Sequence, residues 1–393
     1  MSEGRGPVWL EDWLVACRGE LVSWRRHLHA HPELSRSEHA STAYVAERLT
    51  AAGLTPRGLP RGTGLVCDVG GGPGPVVALR ADMDALPLRE CTGAPYSSTV
   101  DGVAHACGHD AHTAMLLGAA LAMASAPELP GRVRLFFQPA EEVMPGGALD
   151  VIASGELGEV SRIFALHCDP HLEVGQLGVR AGPLTSAADT IELTVHSPGG
   201  HTSRPHLTAD LVHALGVIIT GLPLMLTRRL DPRSATVLVW GAVQAGNAAN
   251  AIPQTGVLRG TVRTGDRDTW AKLEPLVAEG VAALLAPTGV TYELRHQRGV
   301  PPVVNDRVSA EILRTAVSHG LGPQAVASTL QSSGGEDFAW YLEQVPGAMG
   351  RLGVWPGHGP HLDLHQPGFD LDERALEIGV RVLVHAALAA WDV

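Results

Sequence analysis

The sequence predicts an α/β fold interrupted by a smaller α+β insert. Three observations carry this reading. Strand-like and helix-like segments alternate between Gly64 and His167. From Asp189 to Arg295 the order becomes β-α-β-β-α-β, a split βαβ unit able to close as a small domain. Afterwards the α/β character returns, so residues with chemical potential lie on both sides of the insert. The expected division is therefore residues 1–185 with 296–393 for the interrupted domain and 186–295 for the insert.

Residues 9–52 carry a helical period through Leu14, Leu21, Leu28, Tyr44, Val45 and Leu49, and His31-Pro32 divides it into two helices. Residues 64–69 and 76–80 read as strands joined by a hairpin turn at Gly70-Gly71-Gly72-Pro73-Gly74. Residues 112–126 are helical, 133–138 form a buried strand and 163–167 another. Within the insert, strands are expected at 190–196, 235–243, 255–264 and 291–295, with helices at 209–226 and 268–285. Helices at 308–319, 337–342 and 373–390 complete the chain.

A chain of 393 residues, 45% apolar, can bury two cores. Its 41 acidic and 29 basic residues include a single lysine, Lys272, and no basic stripe, which argues against nucleic acid as a partner. Five widely spaced cysteines suit a reducing compartment better than a disulfide scaffold. The most apolar stretch, residues 211–226, is shorter than a membrane span requires, and residues 1–10 do not resemble a secretory signal. The expected location is the cytoplasm, without a membrane partner.

Chemistry concentrates in His105-Ala106-Cys107-Gly108-His109-Asp110-Ala111-His112 at the entry to a helix. In extended chain, Cys107 and His109 would share one face, as a pair of metal ligands requires. Phe136-Phe137-Gln138-Pro139-Ala140-Glu141-Glu142 ends a strand with adjacent carboxylates. If one binds a divalent cation, the other stays close to the activated water and can serve as general base. His167 follows a strand, His365 lies in a loop with His358 and His361, and Asp84 ends a strand where it could orient a ligand.

Eight ordered motifs then coincide with a known pattern. They are Arg26-His27-Leu28-His29 with Pro32-Glu33-Leu34, the run from Arg80 to Pro87, the run from His105 to Thr113, and Gln138-Pro139-Ala140-Glu141-Glu142. Gly199-Gly200-His201 with Pro205-His206, Asn250-Ala251-Ile252-Pro253, Gly260-Thr261-Val262-Arg263-Thr264 and Gly335-Glu336-Asp337-Phe338 follow. Over nearly its whole length the chain resembles the metal-dependent amidohydrolases that include hippurate hydrolase, N-acyl-amino-acid deacylases and auxin-conjugate hydrolases, relatives of aminoacylase and the glutamate carboxypeptidases.

The resemblance implies a zinc-peptidase-like catalytic domain with an inserted ferredoxin-like α+β domain that acts as lid and dimer contact. Carried over by motif, the metal ligands are Cys107, His109, Glu142, His167 and His365, with Glu141 as general base. Distant relatives have His-x-Asp where this chain has Asp82-Met83-Asp84. Here Cys107-x-His109 looks like the replacement, with Asp84 in support. Two divalent ions are implied, manganese first, since relatives of this branch are often manganese-dependent; the mixed ligand set also accommodates zinc, cobalt or nickel. His201 would stabilise the oxyanion, and Asn250 and Arg263 would hold the substrate's carboxylate. The implied reaction is hydrolysis of the amide bond of small N-acyl amino acids by a homodimer. A dipeptidase or carboxypeptidase using the same site, and a catalytically silent binding protein, are the alternatives.

Overall fold

In the computed structural model, which describes residues 6–393, the chain forms two compact units. One comprises the chain up to Leu184 with Val304–Leu330 and Asp337–Val393, and the other comprises Thr185–Val303 with Gln331–Glu336.

The first unit is built on a mixed sheet of eight strands. Its centre is a parallel block in the spatial order Arg132–Gln138, Val76–Asp82, Val160–Glu173 and Gly347–Trp355. Val76–Asp82 is buried at every position, as expected of a strand paired on both edges inside a parallel block. The hairpin expected around Gly70–Gly74 does not form. Leu65–Gly70 pairs antiparallel with Arg132–Gln138, which lies between it and Val76–Asp82. The glycine loop instead crosses the start of that intervening strand, where a Cβ on Gly72 would sit 2.4 Å from the Pro130 carbonyl oxygen.

The Gly347–Trp355 strand has no counterpart in the sequence reading, because Gly347, Gly350 and Gly353 break its apolar pattern. Those glycines reflect close approach. A Cβ would lie 2.3 Å from Ile163 O at Gly347 and 2.1 Å from Glu173 O at Gly353. Helices Val8–Ala30, His109–Ala124 and Arg374–Trp391 pack on one another, and Arg307–Leu321 packs on the last. In His109–Ala124 only Leu121 and Ala124 reach solvent, so this helix is buried on every side and, past its polar first turns, is apolar and runs through the core.

The second unit is an antiparallel sheet ordered Val237–Ala245, Thr255–Thr264, Ala187–His196, Thr291–Val300, with helices Leu211–Arg229 and Arg267–Leu285 packed together. Strand alternation gathers Ile191, Leu193, Val195, Leu258 and Val262 in its core. The last strand continues past Arg295 to Val300, beyond the expected end of the insert. Leu211–Arg229 also outruns its apolar core. At 19 residues it is long and apolar enough for a membrane span by length and composition. In the structure Leu211, Ala214, Leu215, Ile218, Leu222 and Leu226 form the buried stripe of a core helix.

A single buried carboxylate organises one end of this unit. Asp189 accepts from Trp270 Nε1 at 2.9 Å, His296 Nε2 at 2.8 Å and Gly299 N at 3.0 Å. Burial would raise its pKa, but the donors from His296, Trp270 and Gly299 hold it below the ordinary carboxylate value. Its folded pKa lies below the unfolded one, so its stabilisation is complete above the unfolded value of about 3.9 and is lost as pH falls through the folded value. Asp189→Asn should cost about 1–3 kcal/mol at neutral pH in denaturant unfolding and reduce the loss of stability as pH falls below about 4.

Candidate metal centre

The carboxyl ends of parallel strands are where an α/β sheet leaves room for chemistry. Here Val76–Asp82 leads to Asp84, Arg132–Gln138 leads to Glu141 and Glu142, and Val160–Glu173 carries His167. The fourth contribution is the segment before His109–Ala124. It does not run in the extended form that the Cys107-x-His109 spacing suggests. Gly108 adopts φ 87° and ψ 13°, a left-handed conformation that starts the helix at His109. A Cβ at Gly108 would lie 2.9 Å from Cys168 Sγ, so that position has no room for a side chain.

The two glutamates owe their place to buried carboxylates behind them. Ala140 N donates to Glu38 Oε1 at 2.7 Å, Glu141 N to Asp84 Oδ1 at 3.0 Å and Glu142 N to Asp84 Oδ2 at 2.9 Å. Ala140 takes φ 57°, which turns the chain between strand and glutamates. Ser35 Oγ donates a further bond to Asp84 at 2.6 Å. Burial would raise the Asp84 pKa, yet His109, Ser35 and the Glu142 amide keep it below the usual carboxylate value.

The histidines are oriented by their second nitrogens. His109 Nδ1 lies 2.9 Å from Asp84 O and His167 Nδ1 2.8 Å from Cys168 O, so each donates from Nδ1 to a carbonyl. That leaves both Nε2 atoms directed at the cluster, the arrangement that metal-ligating histidines use. His109 Nε2 is buried and has no hydrogen-bond partner among the described residues. It lies 3.8 Å from Glu142 Oε1, and His167 Nε2 lies 3.7 Å from Cys107 Sγ. His365, at φ 62°, brings Nε2 to 3.3 Å from Glu142 Oε1, while its backbone N bonds Ala106 O at 2.7 Å.

Ligand-capable atoms of Cys107, His109 and His167 all lie within 4.8 Å of one another, and so do those of Cys107, Glu142 and His365. His109, Glu141 and Glu142 form a further such group. Cys107 is common to the first two. The donor set is that of a cation site: burial pushes the Cys107 thiol well above its ordinary pKa and pushes His167 well below. Burial also opposes charge on His109, but Asp82 and Cys107 hold its pKa well above the usual imidazole value. A divalent ion would discharge those protons and satisfy the orphaned Nε2, so the residues present fit such an ion.

All of Cys107, His109, Glu141, Glu142, His167, His365 and Asp84 thus come together in the first unit. His201, Asn250 and Arg263 belong to the second. His201 pairs with Ala251, next to Asn250, while Arg263 lies on Thr255–Thr264 with Nη1 on Ser333 O at 2.8 Å. Ser203 N donates to His201 Nδ1 at 3.1 Å, so the His201 proton resides on Nε2.

The sequence reading named Asp82 and His112 within its motifs without giving either a role, and it did not reach Glu38. His112 Nδ1 bonds Asp82 Oδ1 at 2.6 Å and its Nε2 accepts from Cys168 N at 2.9 Å, so both nitrogens are engaged. Arg80 bonds Asp82 and Asp337, each at 2.7 Å, and Gln138 Nε2 also bonds Asp337. Asp82 was legible as an acidic residue ending a strand and as part of the Asp82-Met83-Asp84 motif, and Glu38 carried no sequence signal.

Comparison with known proteins places this geometry. The profile of Peptidase family M20/M25/M40 matches residues 78–389. A Rhodococcus jostii (strain RHA1) protein provisionally named glutamate–cysteine ligase 2-3 is 59% identical over 365 residues, 93% of this chain. The chain spans only 46% of that relative's length. The N-acetylcysteine deacetylase of Bacillus subtilis (strain 168) is 38% identical over 374 residues, 94% of this chain and 96% of its own. Among solved structures, a Bacillus subtilis dinuclear metal-binding peptidase of the M20 family has TM-score 0.84 and 34% identity, covering 96% of this chain and 99% of its own.

Asp84→Asn would turn an amide NH2 toward one of the two backbone donors that the carboxylate now accepts. Chelator competition should then show metal held about 10–100-fold more weakly than by the parent protein.

Proposed function

The chain belongs to peptidase family M20/M25/M40, and we propose that within it this protein hydrolyses the amide bond of N-acyl amino acids, releasing a carboxylic acid and a free amino acid. The observation that carries this is the arrangement of Glu141 and Glu142: consecutive residues, both amides on the Asp84 carboxylate, with Glu142 beside His109 and His365.

Cys107, His109 and His167 would hold one divalent ion, and Cys107, Glu142 and His365 a second, with the thiolate shared. Manganese is the proposed metal, with zinc, cobalt and nickel compatible with the same donors. Bound there, the ions would polarise the scissile carbonyl and make a water acidic enough to attack near neutral pH. Glu141 takes the proton of the attacking water and passes it to the leaving amine nitrogen. In this assignment Glu141 belongs to neither proposed ligand set. His201 donates from Nε2 to the carbonyl oxygen as that oxygen gains charge, a role its Nδ1 bond from Ser203 supports. Asn250 and Arg263 receive the free carboxylate of the substrate.

The N-acyl amino acid class is supported by the likeness to a deacetylase along nearly the full length of both chains. The ligase name attaches to a protein of which this chain spans less than half, and its activity is not carried over. The second unit is proposed as lid and as the contact of a homodimer.

Free-amine release should be measured with N-acetylcysteine, other N-acetyl and N-benzoyl amino acids, and dipeptides, after loading with manganese, zinc, cobalt or nickel. Metal-dependent cleavage of N-acyl amino acids, abolished by chelator, is expected. Glu141→Gln should retain the metal but lower kcat by about 10²–10⁴-fold. Cleavage of dipeptides alone would establish a peptidase, and two bound ions without any turnover would overturn the role given to Glu141.

A further inference from the structure

We propose that Arg25 is a positioning residue of the metal centre, joining the two separated chain segments that deliver its ligands. The inference rests on the metal reading above and adds a residue that touches neither ion nor substrate.

Arg25 sits on the apolar face of Val8–Ala30, between Leu21 and Leu28, and is completely buried. Its Nε donates to Asp110 Oδ2 at 2.7 Å, and its Nη2 donates to Asp370 Oδ1 at 2.7 Å. Asp110 immediately follows His109 and lies three residues after Cys107. Asp370 closes the segment that begins at His365, whose backbone N is bonded to Ala106 O at 2.7 Å. One guanidinium therefore spans two segments that carry ligands and lie far apart in the sequence.

Neighbouring groups restrict both carboxylates further. His29 Nδ1 lies 2.7 Å from Asp110 Oδ2 and its Nε2 3.2 Å from Glu90 Oε1, while Tyr96 OH donates to Asp370 Oδ2 at 2.8 Å. Asp110 is fully buried, and its Oδ1 has no hydrogen-bond partner among the described residues. Withdrawal of Arg25 would leave His29 as the remaining side-chain donor to Asp110 among the described residues. The planar guanidinium fixes two donor directions at once, which sets the angle at which the two segments meet. A lysine offers one point charge and cannot reproduce it.

The test uses the full chain stripped of metal and titrated with Co(II), following uptake by calorimetry and the thiolate-to-cobalt absorption band that reports Cys107. The parent protein should take up two ions. Arg25→Lys and Asp370→Asn should keep the parent's far-UV circular dichroism, yet bind at least one ion about 10–100-fold more weakly with an altered band. The exposed Arg18→Ala on the same helix, whose ion pair is with Glu377, should match the parent in both readouts. Asp370→Asn removes one partner while leaving Arg25 in place, so the test survives if the arginine variant does not fold. Two ions taken up with parental affinity and spectrum by both folded variants would overturn the positioning role alone. A parent protein that takes up no Co(II) would overturn the metal reading, and this inference with it.

Discussion

Everything proposed for the site depends on the Asp84 carboxylate, which is buried and must be satisfied where it stands. A buried anion is costly unless hydrogen-bond donors surround it. Asp84 meets that requirement with the consecutive amides of Glu141 and Glu142 and the hydroxyl of Ser35. Glu38 repeats the device one residue earlier, at Ala140 N. The need of these carboxylates for donors is thus what aims the two glutamates. His109 is drawn into the same arrangement, since its Nδ1 rests on the carbonyl of Asp84.

Behind this lies a second buried group of charges, in which Arg80 joins Asp82 to Asp337 and Gln138 completes the contacts. Asp82 in turn fixes His112, whose other nitrogen receives the amide of Cys168, next to His167. Asp82 ends the strand that leads to Asp84, and Gln138 ends the strand that leads to Glu141 and Glu142. Polar groups at this depth are worth most as constraints on geometry, because a partly satisfied arrangement would be heavily penalised.

The legible parts of the chain were those governed by local rules. The Pro break after His31, the apolar helix that follows His109, the adjacent glutamates after a strand and the grammar of the insert could all be read from residue order. What escaped was set by neighbours remote in sequence. Leu65–Gly70 and Val76–Asp82 look like a hairpin because the glycine turn is local evidence, whereas insertion of Arg132–Gln138 between them is a matter of sheet topology. Gly347–Trp355 hides as a strand because its glycines answer to the backbone of Val160–Glu173. Arg25, a charged residue on an apolar helix face, had no place in the sequence reading, because its partners Asp110 and Asp370 are remote in sequence.

By itself, the sequence determined which chemistry this protein can hold: a thiol, three imidazoles and two carboxylates in motifs that place them at strand ends, at a helix entry and in a loop. Only the tertiary structure decided which nitrogen of each histidine faces the cluster, which amides the buried acids capture, and how the His365 segment meets the Cys107 segment. Residue types and spacings follow from the covalent chain. The ring of His109 is fixed by its Nδ1 bond to the carbonyl of Asp84 and that of His167 by its Nδ1 bond to the adjacent Cys168 carbonyl, while Ala106 O holds the backbone of His365. Asp84 and Ala106 are remote in sequence from the histidines they hold, and only folding brings them within reach.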